Sequence, residues 1–266
     1  MRFLDAADVS RLSYSEAADA LERVLRDGFD PESDVPRSSV PVGAGELLVM
    51  PSVAGAVKLV TVGGDPRIQG VCVVFDPETL APVAVVDGIA LTNLRTAAVS
   101  ALAARRLAAP SPRRLVVYGR GPQGEAHVAA LRELFPSLSE VEGAGRSGAP
   151  RVEDADIVVC ATTAREPVFD GARVADHALV IAIGSHVPEA AELDASLMRR
   201  AQVVVESRAS AFREAGDVLR AGLAPEAVTT LAEDAAPDRT RPRVFKSTGM
   251  AWEDAVVAAA VVAAAG

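Results

Sequence analysis

Three patterns in the sequence predict an α/β fold in which one domain is inserted into another. Short β-like runs joined by tight turns fill residues 47–87, whereas residues 113–243 alternate apolar runs with helical segments. The first pattern is typical of an antiparallel sheet, and the second of a parallel sheet with crossover helices. The third is an apolar C-terminal segment, which we expect to be a helix that packs against the first domain.

The composition limits the possible partners. The chain has 266 residues, half of them hydrophobic, which is enough for two domains. Its formal net charge is -9, which disfavours nucleic acid and anionic membranes because phosphate binding needs clustered Lys and Arg. We expect a cytoplasmic protein, because no signal segment is evident at the N-terminus and the apolar tail, 255–266, is too short to cross a bilayer.

The cysteines and histidines show no metal-binding pattern. Cys72 and Cys160 lie within apolar runs, so we expect two buried free thiols. His127, His177 and His186 lack the spacing of metal ligands, so we predict no metal site.

The first domain is expected to begin with a helix and continue into a sheet. Ser13 or Ser15 can cap a helix whose apolar residues recur at helical spacing up to Gly28. Residues 30–45 carry prolines and glycines and are predicted to be a loop. Four strands are then expected in the runs LLVMPSV, AVKLVTV, GVCVVFD and APVAVVD.

Prolines mark the next boundary. A long helix is predicted over residues 92–109, and Pro110 and Pro112 end it. The alternating apolar runs follow, and the final segment VFKSTGMAWEDAVVAAAVVAAAG is predicted to be a helix that begins near Ser247. We therefore predict domains at 1–109, 110–243 and 244–266, the last returning to the first.

A glycine-rich loop follows the first strand of the inserted domain. The run LVVY leads into Gly119, Gly121 and Gly124, with Pro122 and Gln123 between the last two, and a helical segment follows. In a dinucleotide site the first glycine permits a tight turn, the second lets the backbone approach the pyrophosphate, and the third lets helix and strand touch. The pattern predicts a Rossmann-type domain; the alternative is a glycine-rich surface turn.

The end of the second strand bears on cofactor choice. Sites selective for NAD place a carboxylate there, but the run SEVEGAG ends at Gly145 and is followed by Arg146. An arginine pairs with a 2′-phosphate, so we predict NADP(H) as the preferred cofactor with NAD(H) possible. Glu142 is expected in mid-strand, and Arg146 is alternatively a solvated loop cation.

Five segments along the chain match one family pattern in order: LTNLRTAAVSALAARRLA (91–108), VYGRGPQGEAHVAAL (117–131), ADIVVCATTAREPVF (155–169), IGSHVPEAAELD (183–194) and FKSTGMAWEDAVVAA (245–259). Together they resemble the ornithine cyclodeaminase and mu-crystallin family. This resemblance implies an NAD(P)-dependent enzyme acting on a small imino or amino acid, and a homodimer formed through the antiparallel strands of the substrate domain.

The resemblance also implies roles for single residues. Arg95 matches the arginine that binds the substrate carboxylate, Arg37 and Lys58 match two further cations of the pocket, and Met50 matches a pocket-lining methionine. If Lys58 is buried beside arginines, its pKa should fall and it could transfer protons near neutral pH. The alternative is a lysine that faces solvent. The resemblance places five residues in segments that line the cofactor: Thr92, Thr162, Gly184, Ser185 and Ser247.

Two departures from the family pattern affect these expectations. His186 stands where ornithine cyclodeaminase has a catalytic aspartate, so it is a candidate proton donor, or else a loop histidine that packs locally. Without that carboxylate an ammonium group has no fixed partner, which weakens the cyclodeaminase interpretation. Residues 146–154 also lack the helix that usually follows the second strand of the inserted domain.

We therefore predict a reductase that transfers hydride to the C=N carbon of a small cyclic imino acid, of the pyrroline-2-carboxylate or piperideine-2-carboxylate type. Ornithine cyclodeamination and oxidation of an amino acid, as in alanine dehydrogenase, are the enzymatic alternatives. A non-catalytic nucleotide-binding protein is the alternative from another class.

Overall fold

The chain forms two compact units. The structure is a computed structural model that describes residues 1–144 and 150–266, with the side chain of residue 144 outside the description. One unit comprises residues 1–99 with 250–266, and the other residues 100–249. The second is therefore inserted in sequence between two parts of the first, which confirms the predicted fold class. The domain boundaries predicted from the sequence, after residues 109 and 243, stay predictions.

The first unit contains a six-stranded sheet with the strand order β1-β6-β5-β4-β3-β2. Strands β2 to β6 pair antiparallel with their neighbours, which confirms the sheet predicted from the four apolar runs, and β1 joins β6 in parallel. The strands are β1 (Arg2–Leu4), β2 (Ser38–Val42), β3 (Gly45–Ser52), β4 (Ala56–Val62), β5 (Ile68–Phe75) and β6 (Pro82–Asp87).

Strand β2 corrects the prediction that residues 30–45 are a loop. It pairs with β3 over its whole length, and a short 3-10 turn, Pro31–Ser33, precedes it. Pro41 suggested a loop because proline cannot donate to a sheet, but β2 is the edge strand, where one side of the backbone needs no partner.

Three helices accompany this sheet in the N-terminal part of the unit. They are α1 (Ala6–Val9), α2 (Tyr14–Arg26) and the first part of α3 (Gly88–Leu107), whose residues from 100 onward belong to the second unit. Ser13, one of the two predicted caps, caps α2 together with Glu16. Helix α3 begins four residues before the predicted start, because the Asp87 carboxylate accepts a hydrogen bond of 2.8 Å from the amide of Ala90.

The second unit contains a seven-stranded sheet with the strand order β12-β11-β13-β10-β9-β7-β8, in which the described neighbouring strands pair in parallel. Strands β9 and β10 at its centre are apolar and buried, as expected for a parallel sheet covered by helices. The strands are β7 (Arg114–Tyr118), β8 (Glu140–Ala144), β9 (Ile157–Cys160), β10 (Leu179–Ala182), β11 (Gln202–Val205), β12 (Val228–Thr230) and β13 (Arg243–Lys246).

The helices of the second unit are short except for the first. They are α4 (Pro122–Leu134), α5 (Ala195–Arg200), α6 (Arg208–Glu214) and α7 (Gly216–Ala221). Between β8 and β9, the described residues contain the 3-10 turn Val152–Asp154. Arg146 lies outside the described residues. Residues 146–154 were predicted to lack a helix, and of this connection the structure describes residues 150–156.

Strand β13 was missed by the sequence analysis, which assigned the final segment to a helix. The structure places Arg243–Lys246 between β10 and β11 in the middle of the sheet, and the last helix, α8 (Ala251–Ala264), begins four residues after the predicted start. A short buried strand and a buried helix cannot be distinguished by hydrophobic periodicity alone. Helix α8 packs on α2 and on strands β3, β4 and β5.

Candidate functional site

The glycine loop between β7 and α4 is shaped by close backbone contacts. Gly119 has a φ of +109°, and a Cβ there would lie 2.2 Å from the carbonyl oxygen of Ala161. A Cβ on Gly124 would lie 2.2 Å from the carbonyl oxygen of Gly119. In contrast, a Cβ on Gly121 would meet nothing within 4 Å. The first and third glycines are thus required by packing, and the second borders open space.

This open space lies at the start of α4, which suits a phosphate. Gly121 is the N-cap residue and provides no side-chain cap, and Pro122 follows at the first helical position. A helix N-terminus attracts anions through its unpaired amides and its dipole. The loop also follows β7, which lies between β8 and β9 in the sheet, so the strand order reverses beside it. Ligands of open parallel sheets bind at such a reversal. The described residues therefore fit the pyrophosphate of a dinucleotide.

An arginine of the glycine loop, not considered in the sequence analysis, lies beside the end of β8. Glu142 lies in mid-strand as expected, and its carboxylate is held 2.5 Å from the guanidinium of Arg114. Arg120, inside the glycine loop, donates a hydrogen bond of 3.4 Å to the carbonyl oxygen of Gly143. A guanidinium therefore lies at the strand end where dinucleotide-binding proteins bind the adenosine ribose.

A buried carboxylate joins the loops that follow β9 and β10. Glu192 accepts hydrogen bonds from the amide and the hydroxyl of Thr162, both at 2.8 Å, and from the amide of Gly184 at 2.6 Å. Burial raises the pKa of Glu192, an effect that Lys246 opposes. Because three donors meet this one side chain, it fixes two loops that the sequence analysis assigned to the cofactor.

Lys246 at the end of β13 is buried and holds the loop of Ser185. Its Nζ donates to the carbonyl oxygen of Ser185 at 2.6 Å and to the hydroxyl at 3.0 Å, and lies 3.3 Å from the carboxylate of Asp217. Burial alone would raise the pKa of Asp217, but Lys246 and the hydrogen bond from Ser185 hold it below its usual value. His186 follows directly and is partly buried. The network thus fixes the backbone beside the candidate histidine.

A third buried carboxylate, Glu206, holds the loop after β13. It accepts hydrogen bonds from the hydroxyl of Ser247 at 2.5 Å and from the amides of Thr248 and Gly249 at 2.9 and 3.2 Å. In the first unit, the hydroxyl of Thr92 donates to the carbonyl oxygen of Gly88, one turn earlier in α3, at 2.7 Å. Each predicted cofactor-lining hydroxyl therefore donates to an acceptor of the protein itself: Thr92, Thr162, Ser185 and Ser247.

The candidate substrate residues of the first unit centre on Lys58. This residue lies in mid-strand on β4, paired in register with Met50 on β3 and Cys72 on β5. All three are buried, and only 2% of Lys58 is exposed. Its Nζ lies 2.8 Å from Oδ1 and 2.7 Å from Oδ2 of Asp254 on α8. The alternative that Lys58 faces solvent is therefore wrong.

Arg95 on α3 lies beside the same carboxylate. Its Nη1 donates to Glu253 at 2.7 Å, and its Nε lies 3.0 Å from Oδ1 of Asp254. The formal charges of Lys58, Arg95, Glu253 and Asp254 add to zero. We name these four residues the charge cluster. Buried charges are tolerated when they are paired in this way, and removal of one partner is costly.

The charge cluster changes the proton affinity of its lysine. Burial, followed by the charge of Arg95, lowers the pKa of Lys58 to about 8, while Asp254 opposes the decrease. This agrees with the expectation of a depressed pKa. Burial also raises the pKa of the Cys72 thiol to about 12, so it stays a protonated thiol. Both cysteines are free and buried, as predicted.

The start of α8 is anchored separately from the charge cluster. The carboxylate of Asp34 accepts a hydrogen bond of 2.7 Å from the amide of Trp252 and one of 3.2 Å from the amide of Val53.

Arg37 immediately precedes β2, two strands away from β4, and is partly exposed. The structure therefore brings Lys58 and Arg95 together, and puts Arg37 at the edge of the same sheet.

The carboxylates of the charge cluster and the ammonium of Lys246 were not predicted from the sequence. One signal was available, because the chain has 27 lysines and arginines and only Lys58 and Lys246 are lysines. Both are buried. In the part of the chain that the structure describes, no group of three His, Cys, Asp or Glu residues could hold a metal ion, and no helix could span a membrane.

The sequence profile of the ornithine cyclodeaminase/mu-crystallin family matches residues 3–148 and 139–265. The chain belongs to this family. The Delta(1)-pyrroline-2-carboxylate/Delta(1)-piperideine-2-carboxylate reductase of Azospirillum brasilense is 34% identical over 286 residues, which cover 94% of this chain and 91% of that protein. The ketimine reductase mu-crystallin of Mus musculus is 36% identical, with 84% and 82% covered.

A solved relative supports the fold. An archaeal alanine dehydrogenase dimer with bound NAD superimposes with a TM-score of 0.87 at 26% identity, covering 99% of this chain and 95% of that one. The structural match extends over both compact units, so the resemblance inferred from the quoted segments holds for nearly the whole chain.

Proposed function

We propose that this member of the family is an NAD(P)H-dependent reductase of a small cyclic imino acid, of the Δ1-pyrroline-2-carboxylate or Δ1-piperideine-2-carboxylate type. The observation that carries the proposal is the buried charge cluster in a chain that is similar, over 94% of its length, to a reductase named for these two substrates. The charge cluster offers a guanidinium for a carboxylate and an ammonium whose pKa is about 8.

In this proposal each unit of the chain has one task. The glycine loop and the start of α4 bind the pyrophosphate of the cofactor. When bound, the nicotinamide supplies the hydride that reduces the C=N carbon. Arg95, together with Arg37, binds the substrate carboxylate, and Lys58 donates a proton to the imine nitrogen.

We further propose that NADPH is preferred over NADH. Glu142 is held in mid-strand by Arg114, and Arg120 lies at the end of β8, so the described cation there would attract a 2′-phosphate. Arg146 would add a second cation. The archaeal alanine dehydrogenase contains NAD, so the preference is a property to be measured for this chain.

The test is a screen of cyclic imino acids with NADPH and with NADH, followed by the decrease in nicotinamide absorbance and by chromatography of the product. We expect imine-dependent oxidation of NADPH with formation of proline or pipecolate. Release of ammonia from ornithine without net change in the nicotinamide would instead indicate a cyclodeaminase. Nucleotide binding without turnover on any imino or amino acid would indicate a non-catalytic protein.

Lys58→Ala provides the matched variant. Because Lys58 lies in the first unit, outside the glycine loop, its replacement should abolish turnover and leave NADPH affinity, measured by fluorescence titration, within about a factor of three of the wild type. Turnover close to that of the wild type would remove Lys58 from the mechanism. Loss of NADPH binding together with turnover would indicate misfolding.

A further inference from the structure

Lysine is used in this chain only at buried positions. Among 27 lysines and arginines, only Lys58 and Lys246 are lysines, with 2% and 1% of the residue exposed. Every other cationic side chain of this type is arginine, which keeps its charge in proteins, whereas a buried lysine can lose a proton near neutral pH. A primary amine at Lys58 therefore suits proton transfer as well as charge.

The ammonium of Lys58 is held from one side by a single carboxylate. Both oxygens of Asp254 lie within 2.8 Å of Nζ, and the same carboxylate lies 3.0 Å from Nε of Arg95. Glu253, the preceding residue, lies 2.7 Å from Nη1 of Arg95. Asp254 thus links the two cations.

We propose that Asp254 is a positioning residue, which aims the Lys58 ammonium and keeps it protonated for donation to the imine nitrogen. The inference rests on the proposed reductase function. In the step, an N–H bond of Lys58 breaks and an N–H bond forms on the substrate nitrogen, whose electron pair comes from the C=N bond as the nicotinamide hydride adds to carbon. Lys58 ends as a neutral amine and regains a proton from solvent.

The electrostatic surroundings of Lys58 explain why the carboxylate is needed. Burial between β3 and β5 and the charge of Arg95 on α3 favour the neutral amine, and Asp254 on α8 is the counter-charge that favours the ammonium. Cys72 on β5 is a protonated thiol and adds no charge near neutral pH. Without Asp254, Lys58 should therefore lose its proton at a lower pH.

The titration of Lys58 can be measured without turnover. Protein labelled with 13C at lysine Cε gives two lysine signals, and Lys246→Arg assigns them. We expect a midpoint of about 8 for Lys58 in the wild type. In Asp254→Asn the midpoint should fall by at least about one pH unit, because the opposing carboxylate is gone. An unchanged midpoint in Asp254→Asn would overturn the proposal.

Asp34→Asn is the control for a purely structural effect. Asp34 anchors the same end of α8 through the amides of Trp252 and Val53. Its replacement should lower the melting temperature and leave the Lys58 midpoint unchanged. A fall in the midpoint as large as that in Asp254→Asn would show that any loosening of α8 has this effect, and would overturn a specific role for Asp254.

The kinetic counterpart is the pH profile of kcat/KM for the imine. A proton donor must be protonated, so activity should be present below about pH 8 and decrease above it. In Asp254→Asn this alkaline limb should move down by the same amount as the NMR midpoint. If the wild type reduces no cyclic imine, the proposed function fails and the inference fails with it. If the wild type is active and the limb does not move, the inference alone fails.

Asp254→Glu covers the case in which Asp254→Asn does not fold. It keeps the charge but displaces the carboxylate by one methylene. We expect the midpoint of Lys58 to stay near 8 while kcat falls at least about tenfold, because the ammonium is no longer aimed correctly. A kcat equal to that of the wild type would show that the position of this carboxylate does not matter, and would overturn the proposal.

Discussion

Lys58 and Lys246 each lie against a carboxylate that is distant in sequence. Lys58 and Asp254 are 196 residues apart along the chain. Lys246 on β13 lies 3.3 Å from the carboxylate of Asp217 on α7. Paired burial of this kind costs desolvation energy that only good geometry offsets. The two lysines therefore lie where their ammonium groups have defined partners.

His186 competes with Lys58 for the role of proton donor. If Lys58 is the donor, His186→Asn should lower kcat by less than about tenfold, well short of the 10²–10⁴ that loss of a general acid costs. The alkaline limb of the pH profile should also stay in place. A loss of two orders of magnitude, with disappearance of that limb, would assign the proton to His186. His186→Asp, assayed with ornithine, tests whether a carboxylate at this position supports cyclodeamination.

The residues that the sequence predicts for the site are those with a recognisable local pattern or a family match. The glycine loop has a fixed spacing, and a depressed pKa was expected for Lys58 on the condition that it is buried, which the structure shows. Asp254, Glu192 and Asp217 have no such pattern, because their partners come from distant segments. Only the fold brings these charges together.

At the level of elements, the glycine loop gives a matched pair of substitutions. A Cβ on Gly121 meets nothing, so Gly121→Ala should fold normally and mainly weaken nucleotide binding by occupying the space for the pyrophosphate. A Cβ on Gly124 would lie 2.2 Å from a backbone oxygen, so Gly124→Ala should lower the melting temperature. Calorimetry and NADPH titration measure both. Full NADPH affinity in a folded Gly121→Ala protein would contradict this account of the loop.

The residues after β8 should set the choice between the two cofactors. Arg146→Ala should raise the KM for NADPH by roughly tenfold or more, since a hydrogen bond to a charged group contributes about 1.5 to 3 kcal/mol, and should leave the KM for NADH unchanged. Arg151→Ala is the control, because Arg151 is exposed and paired with Asp154. Equal effects of Arg146→Ala on both cofactors would show that Arg146 does not bind the 2′-phosphate.

Elements with strong local signals were predicted and those that depend on tertiary pairing were not. The capping pattern of Ser13 and the four alternating runs gave α2 and β3 to β6. Strand β2 contains a proline and depends on pairing with β3, and β13 is a four-residue strand that gains its partners from β10 and β11. The start of α3 was missed because Asp87 ends a strand and caps a helix at once.

At the scale of the whole molecule, the exposed edge strand β2 predicts association. Val40 and Val42 are 48% and 49% exposed on this strand, and an unpaired apolar edge favours contact with another chain. We expect a homodimer by light scattering at micromolar concentration, and a monomer for the double variant Val40→Asp with Val42→Asp. Val53→Asp, on an exposed turn, should stay dimeric. A monomeric wild type would contradict the prediction.

The most direct test of the central claim follows the hydride itself. Purified protein is given Δ1-piperideine-2-carboxylate with NADPH that carries deuterium at C4 of the nicotinamide, in each of the two stereochemical forms, and the product is analysed by mass spectrometry. We predict pipecolate with one deuterium at the α-carbon from one of the two forms only. Two results would contradict the assignment as an imine reductase. One is that neither pipecolate forms from this imine nor proline from its five-membered analogue. The other is that the product carries no deuterium with either form of the labelled NADPH.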